Sequence, residues 1–398
     1  MWMANPKPVE EKNFIPAKKS ILKVAVPSKS NMQKIETLEL KHFRPYDSLR
    51  IDFSPNINII TGDNAQGKTS LIEAIFTLIV TKSHKTTFDT ALIKEGDDFA
   101  KITAQAKNGD KKLHLQLVIS KEGKKAIHNH IEYKRLSDYM GLLNVVMFAP
   151  EDLFLIKGSP SERRRFIDLA LSQINRHYVY HLNQYRKLLK ERNEHLKRLQ
   201  KKKSDDLILL DVLSEQLWHY AKKITEKRKV FLEELITYVQ PIFKALSGKN
   251  DLRIEYEPSL LDGCDKSYKN KQTVDIALGT TTVGPHRDEC AFFFAGQPVR
   301  KIASQGQIRT LTLALKLALI DYFKQEKKVT PIILLDDVFS ELDRHHQKNL
   351  LTLLDKKAQI FITTTELANI DVTVLDHYKV IKIKSGTIEG VDTNGSDL

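Results

Sequence analysis

The stretch Gly62-Asp63-Asn64-Ala65-Gln66-Gly67-Lys68-Thr69-Ser70 limits the folds open to this chain more than any other. Ile57-Asn58-Ile59-Ile60 precedes it, apolar enough for a short buried strand. Ile72, Ile75 and Ile79 follow at helical spacing. Strand, glycine-bounded loop, Gly-Lys-Thr and helix, in that order, form the context in which a loop cradles phosphate. Gly62 and Gly67 let the chain turn so that successive N–H groups converge on phosphate oxygens. The helix starting near Lys68 adds the partial positive charge of its N-terminus. Lys68 is then placed for the β- and γ-phosphates, and Thr69 offers a hydroxyl to Mg²⁺. Residues 62–70 are therefore expected to hold a nucleoside triphosphate.

The matching half of such a site lies far downstream. Ile332-Ile333-Leu334-Leu335 is an unbroken aliphatic run, as expected of a strand buried on both faces, and it ends in Asp336-Asp337. Carboxylates directly after such a run are costly unless they face a cation or a reaction. With the phosphate loop upstream, Asp336 is expected to hold Mg²⁺, directly or through water. Asp337 is expected to polarise the attacking water as general base. Lys68, Asp336 and Asp337 are thus the candidate catalytic residues. Two aspartates that merely cap the turn after a strand would leave the upstream loop without a counterpart.

The 398 residues suffice for two or three domains, and a net charge of +13 favours an acidic partner, nucleic acid before an anionic membrane surface. No apolar run is long enough for a membrane helix. Two cysteines imply no disulfide framework, so the cytoplasm is the expected compartment. Residues 1–34 are polar and aperiodic and read as a flexible basic extension. A first core segment is expected over 35–145. It would contain strands at Leu38/Leu40 and Leu49/Ile51/Phe53 about the turn Arg44-Pro45-Tyr46-Asp47, and a hairpin about Asn108-Gly109. His128 and His130, two apart, lack partners for a metal.

A mainly helical insertion is expected over 146–300. Ser159 serves as N-cap, Pro160 as first helical residue and Glu162 as capping-box partner, ahead of Arg163-Arg164-Arg165. A lysine-rich arm then runs to about Leu246 and carries Lys201-Lys202-Lys203. Such a one-signed excess suits a DNA backbone as well as it suits a solvated helix face. Arg163, Arg164, Lys201, Lys202 and Lys203 are the candidate DNA contacts. Val274–Leu278 and Ala291–Phe294 read as strands. The core resumes over 301–390 with Ala303-Ser304-Gln305-Gly306-Gln307 and a helix, Leu311–Phe323, apolar nearly all round. The acid-terminated strand, a strand Gln359–Thr365 and a hairpin about Ser385-Gly386 follow, and 391–398 is a tail.

In this order, Gly62–Ser70, Ser304–Gln307, the strand into Asp336-Asp337 and Ser340-Glu341-Leu342-Asp343 resemble the ABC-type ATPase heads shared by chromosome-maintenance (SMC) and recombination proteins. Pro150-Glu151-Asp152, Gly158-Ser159-Pro160, Arg163–Asp168, Val283–Asp288 and Phe43-Arg44-Pro45-Tyr46 narrow the resemblance to the RecF family, over about residues 35 to 390. The resemblance implies an α/β head of mixed β-sheet and helices with an inserted helical arm, ATP and Mg²⁺ as ligands, and heads that work as an ATP-dependent homodimer. Ser304, Gln305, Gly306 and Gln307 would cap the γ-phosphate held by the other subunit, which suits a hydroxyl and N–H groups at a helix start. Ser340 and Asp343 would face the partner, and Arg44 would lie near the phosphates or DNA. A weak ATPase acting as a switch is also implied. It would bind double-stranded DNA near single-strand junctions at the nucleoid and work with RecO and RecR to place RecA.

Several positions depart from the wider pattern. Gln305 stands where transporters carry glycine, Asp337 where glutamate is usual, and Thr363-Thr364-Thr365 where a switch histidine is often found. No glutamine follows Phe148, and Glu151 and Asp152 are the nearest candidates for its metal-sensing role. Together these lead to an expected turnover below about 10 s⁻¹. A nucleotide-gated protein scaffold with incidental DNA contact is the alternative reading. His286-Arg287-Asp288 has no assigned role, and Arg309 and Lys316 read as structural.

Overall fold

Both faces of the central strands are buried, as their unbroken apolar runs require. The computed structural model describes residues 31–260, 267–342, 344–354, 358–375 and 377–394. Its six-stranded sheet has the spatial order Thr387–Asn394, Tyr378–Lys384, Ile57–Thr61, Ile360–Thr363, Ile332–Asp336, Val145–Phe148. All neighbours pair parallel except the outer hairpin. Successive side chains point to opposite faces. Ile60, Ile332, Leu334, Phe361, Val145 and Met147 enter one core with Leu71, Ile75 and Ile79 of the helix Lys68–Val80. Ile59, Ile333, Leu335, Ile362, Val146 and Phe148 enter another with Leu311, Leu315 and Ala318 of the helix Gln305–Lys327. One aliphatic run thus fixes both helices that bear on the site.

A second sheet of seven strands, mostly antiparallel, roofs the phosphate-loop helix and includes Asn31–Phe43, Tyr46–Asp52, Phe99–Asn108 and Lys111–Ser120. Its hairpins turn at Arg44-Pro45 and Gly109-Asp110, where Gly109 supplies the positive φ of 58°.

The helical arm leaves the head through Pro160–Ile174, then forms an antiparallel pair, Arg176–Gln200 of 25 residues and Leu207–Ser247 of 41. Leu182, Tyr185 and Leu188 share a core with Leu217, Ala221, Ile224 and Phe231. The longer helix then lays Leu232, Leu235 and Val239 into the core of Gln305–Lys327, with Phe231 edge-on to Tyr322 at 5.0 Å. The arm is therefore fastened to the helix that begins beside Ser304.

Buried ion pairs fix its base. Arg228, 2% exposed, donates to Asp168, Tyr178, the Pro285 carbonyl and Asp288 at 2.6–3.2 Å. Arg192 pairs with Asp275 at 2.7 Å and Thr281 at 2.8 Å. These contacts give Gly284–Asp288 its role. A Cβ on Gly284 would lie 2.3 Å from Tyr185 Oη, and His286 Nδ1 meets that hydroxyl at 2.6 Å. Asp288 also accepts from Tyr256 and from the N–H of Ser259.

Several expectations need correction. Val274–Leu278 lies in a helix, Gln272–Leu278. Val274 and Leu278, four apart, are both exposed, while Asp275 turns to Arg192 and Ile276 packs on Leu196, Leu199 and Leu210, a helical period. The strand Val145–Phe148 belongs to the head and not to the insertion. Ordered strand begins at Asn31 and ends at Asn394, inside both expected flanks. Ser159 is the N-cap by backbone, but its hydroxyl meets Ser161 Oγ at 2.5 Å and no box with Glu162 forms. His130 sits in a turn at φ 68°, off the strand that ends at His128. The remainder of the expected extension and tail, and Asp343, lie outside the described residues. Among those described, no helix is long and apolar enough to cross a membrane.

Candidate functional site

Both loop glycines are demanded by geometry. Gly62 has φ 142°, and a Cβ there would sit 2.2 Å from the Ile383 carbonyl. Gly67 has φ 113°, with Tyr46 Oη 2.8 Å from the same construction. Two hairpin turns clamp the loop from outside. Tyr46 Oη donates to Gly67 O at 2.9 Å. The N–H groups of Ser385 and Gly386 donate to Gln66 Oε1 and Gln66 O at 2.5 and 3.0 Å. Asp63, Asn64 and Ala65 stay exposed, and Ser70 is half-buried on the first helical turn. Beside the loop opens a cavity of about 360 Å³, lined by Gly62, Asp63 and Gln66 on one side and by Thr365, Glu366 and Lys382 on the other.

Lys68 sits inside the loop, its Nζ 2.6 Å from Gly62 O and 2.7 Å from Asp63 O. Burial lowers its pKa, and the charges of Asp337, Asp63 and Asp336 work against that fall. Thr69 Oγ1 donates to Asp336 Oδ1 at 2.9 Å across 267 residues of sequence, and Thr363 Oγ1 donates to the same oxygen at 2.8 Å. The Asp337 N–H donates to Thr363 Oγ1 at 2.9 Å. The parallel strands Ile57–Thr61 and Ile332–Asp336, with Ile360–Thr363 between them, thus bring Lys68, Thr69, Asp336 and Asp337 to one place. A hydroxyl and a carboxylate side by side are hard oxygen donors, and this set fits Mg²⁺.

Ser304 caps the helix Gln305–Lys327 in a reciprocal box. Its Oγ accepts from Gln307 N at 3.3 Å, and Gln307 Oε1 accepts from Ser304 N at 3.0 Å. Ser304, Gln305 and Gly306 are exposed, and none of these bonds reaches the phosphate loop of the same chain. Ser340 Oγ donates to Asp337 O at 2.8 Å, which ties the segment after the acids back to them.

Other candidates are occupied elsewhere. Arg44, at φ 54°, makes two 2.9 Å bonds to Glu73, a buried carboxylate on the phosphate-loop helix, so it fastens the hairpin turn to that helix. Arg163 is buried against Glu289 at 2.8 and 2.9 Å and Gly158 O at 3.0 Å. Arg164 donates to Asp288 O at 2.7 Å, with its pKa lowered by burial. Arg163 therefore serves the arm base and is withdrawn from the surface, because a carboxylate and carbonyls take up its donors, whereas Arg164 is half-buried and fastened by one guanidinium nitrogen. Lys201, Lys202 and Lys203 are exposed at the turn between the arm helices. Asp152 pairs with Lys316 at 2.6 Å and caps Ala149 N at 2.8 Å, while Glu151 faces solvent. Sequence reasoning gave Tyr46 and Ser385 only as turn residues, and it missed Glu73 and the segment Ser83–Lys85.

Residues 34–389 match the family model described as RecF/RecN/SMC N terminal domain. A DNA replication and repair protein RecF of Geobacillus sp. (strain WCH70) is 45% identical over 363 residues, 88% of this chain and 97% of that one. The chain belongs to the RecF family. Its relative in Latilactobacillus sakei subsp. sakei (strain 23K), with the same name, is 41% identical over 89% of this chain and 98% of its own. A solved structure of the recombination mediator protein RecF-ATPrS in the RecFOR pathway superposes with a TM-score of 0.83 at 28% identity, over 92% of this chain and 100% of that one. The Smc head domain derived from Pyrococcus furiosus shares the fold, with a TM-score of 0.51 at 19% identity over 91% of this chain and 96% of its own.

Proposed function

We propose that this chain is an ATP-dependent DNA-binding switch of recombinational repair and replication. ATP closes two copies on double-stranded DNA near single-strand gaps, and slow hydrolysis releases them. The contact of Thr69 with Asp336 at 2.9 Å, beside Lys68 in a glycine-framed loop, carries this reading. Lys68 would orient the β- and γ-phosphates, and Thr69 and Asp336 would hold Mg²⁺, which when bound neutralises phosphate charge. Asp337, fixed through its N–H by Thr363, would take the proton of the attacking water. At the exposed helix start Ser304–Gln307, the Ser304 hydroxyl and the N–H groups of Gln305 and Gly306 would face the γ-phosphate of the other copy.

The RecFOR pathway named for the superposed RecF structure supports RecO and RecR as partners, and delivery of RecA at the nucleoid in the cytoplasm belongs to the same proposal. The decisive test is light scattering on Asp337→Asn protein with and without Mg²⁺-ATP. The mass is expected to double only with ATP and to stay single once Ser304→Arg is added. A monomer throughout would sink the paired-head mechanism and leave the nucleotide site standing. The burial of Arg163 in the arm base favours a second reading, a nucleotide-gated protein scaffold. DNA affinity that is flat with salt would support that alternative.

A further inference from the structure

Asp336 gives one carboxylate oxygen to the hydroxyls of Thr69 and Thr363. Its other oxygen faces Lys85 Nζ at 3.6 Å, with side-chain exposures of 3% for the acid and 36% for the lysine. Lys85 lies outside any helix or strand, yet its backbone is held from two sides. Ser83 Oγ donates to Glu73 Oε1 and accepts from the N–H groups of Lys85 at 2.9 Å and Thr86 at 3.0 Å. Arg165, on the first arm helix, donates to His84 O at 3.1 Å. The backbone around Lys85 is therefore anchored while its long, half-exposed side chain is free to swing. The pair of oxygens that suits a divalent ion comes with a tethered monovalent competitor.

We propose that Lys85 is a positioning residue of the metal site. It neutralises Asp336 until Mg²⁺ claims that carboxylate, so the ion must displace it, and this sets the Mg²⁺ concentration at which nucleotide is held. The inference rests on the nucleotide-site reading above. A unit positive charge a few ångströms from an incoming divalent ion opposes its binding even after solvent screening. Its removal should tighten the metal on the order of tenfold.

The test is Mn²⁺ binding followed by electron paramagnetic resonance on the full chain with a non-hydrolysable ATP analogue. Lys85→Gln should bind Mn²⁺ about tenfold more tightly. Lys85→Arg, which keeps the charge, should stay within about twofold of the unmodified protein. Unchanged or weaker Mn²⁺ binding in Lys85→Gln, with the analogue bound and the fold intact by circular dichroism, overturns the role of Lys85 alone. Failure of the unmodified protein to bind the analogue at any Mn²⁺ concentration overturns the nucleotide reading, and this inference with it.

Discussion

Arg228→Met should cost this protein more stability than any exposed-site change. The guanidinium is 2% exposed and donates to Asp168 and Asp288, whose side chains are 12% and 0% exposed. Methionine keeps much of the volume and removes every donor, so two carboxylates remain near an apolar side chain. Breaking a buried ion pair from one side costs about 3–5 kcal/mol. That is a large share of the roughly 5–15 kcal/mol that holds most folds together. In thermal unfolding it corresponds to a fall of roughly 4–6 °C for a chain of this length.

The assay is unfolding by circular dichroism alongside titration with a fluorescent ATP analogue. Because Arg228 braces the arm and makes no bond to the phosphate loop, analogue affinity should change less than about twofold. Adding Asp168→Asn and Asp288→Asn should recover part of the loss, because amides bury at lower cost than unpaired charges. A deficit under about 1 kcal/mol would refute the assignment of this network as the brace of the arm.

Other outcomes follow from the same contacts. Gly62→Ala should abolish binding of the fluorescent ATP analogue while the far-ultraviolet spectrum stays near normal, since the methyl group would meet Ile383 O at 2.2 Å. Burial holds His286 and His84 down at about 4, so the unfolded chain takes up their protons first as the pH falls. Stability should be level above about pH 6.5 and decline between 6.5 and 4, and His286→Gln should flatten that decline in urea unfolding; an equal slope in both proteins would contradict it. Replacing Lys201, Lys202 and Lys203 with glutamate should weaken duplex binding and lower its salt slope by up to about 3. Arg163→Ala should destabilise the fold and leave that slope unchanged, as fluorescence anisotropy across a salt series would report.

What could be read from the chain was whatever a local pattern encodes. The phosphate loop declares itself because glycine spacing, Gly-Lys-Thr and a helical period all fall within about twenty residues. The acid-bearing strand does so because only a strand covered on both faces tolerates four aliphatics in a row. The run Arg163-Arg164-Arg165 shows where such reading stops. Three identical residues on a helix point in directions about 100° apart, and their neighbours give no sign of which way is inward. The partner that decides the matter, Glu289, is 126 residues downstream. Arg163 is consequently buried, Arg164 half-buried against the Asp288 carbonyl, and Arg165 exposed and reaching the loop beside Lys85. The pairing of Arg44 with Glu73 and the clamp of Gln66 by Ser385 and Gly386 have the same character. In each, a polar group of ordinary appearance acquires its role from a distant partner, so charge alone marks where to look and the fold decides what the charge does.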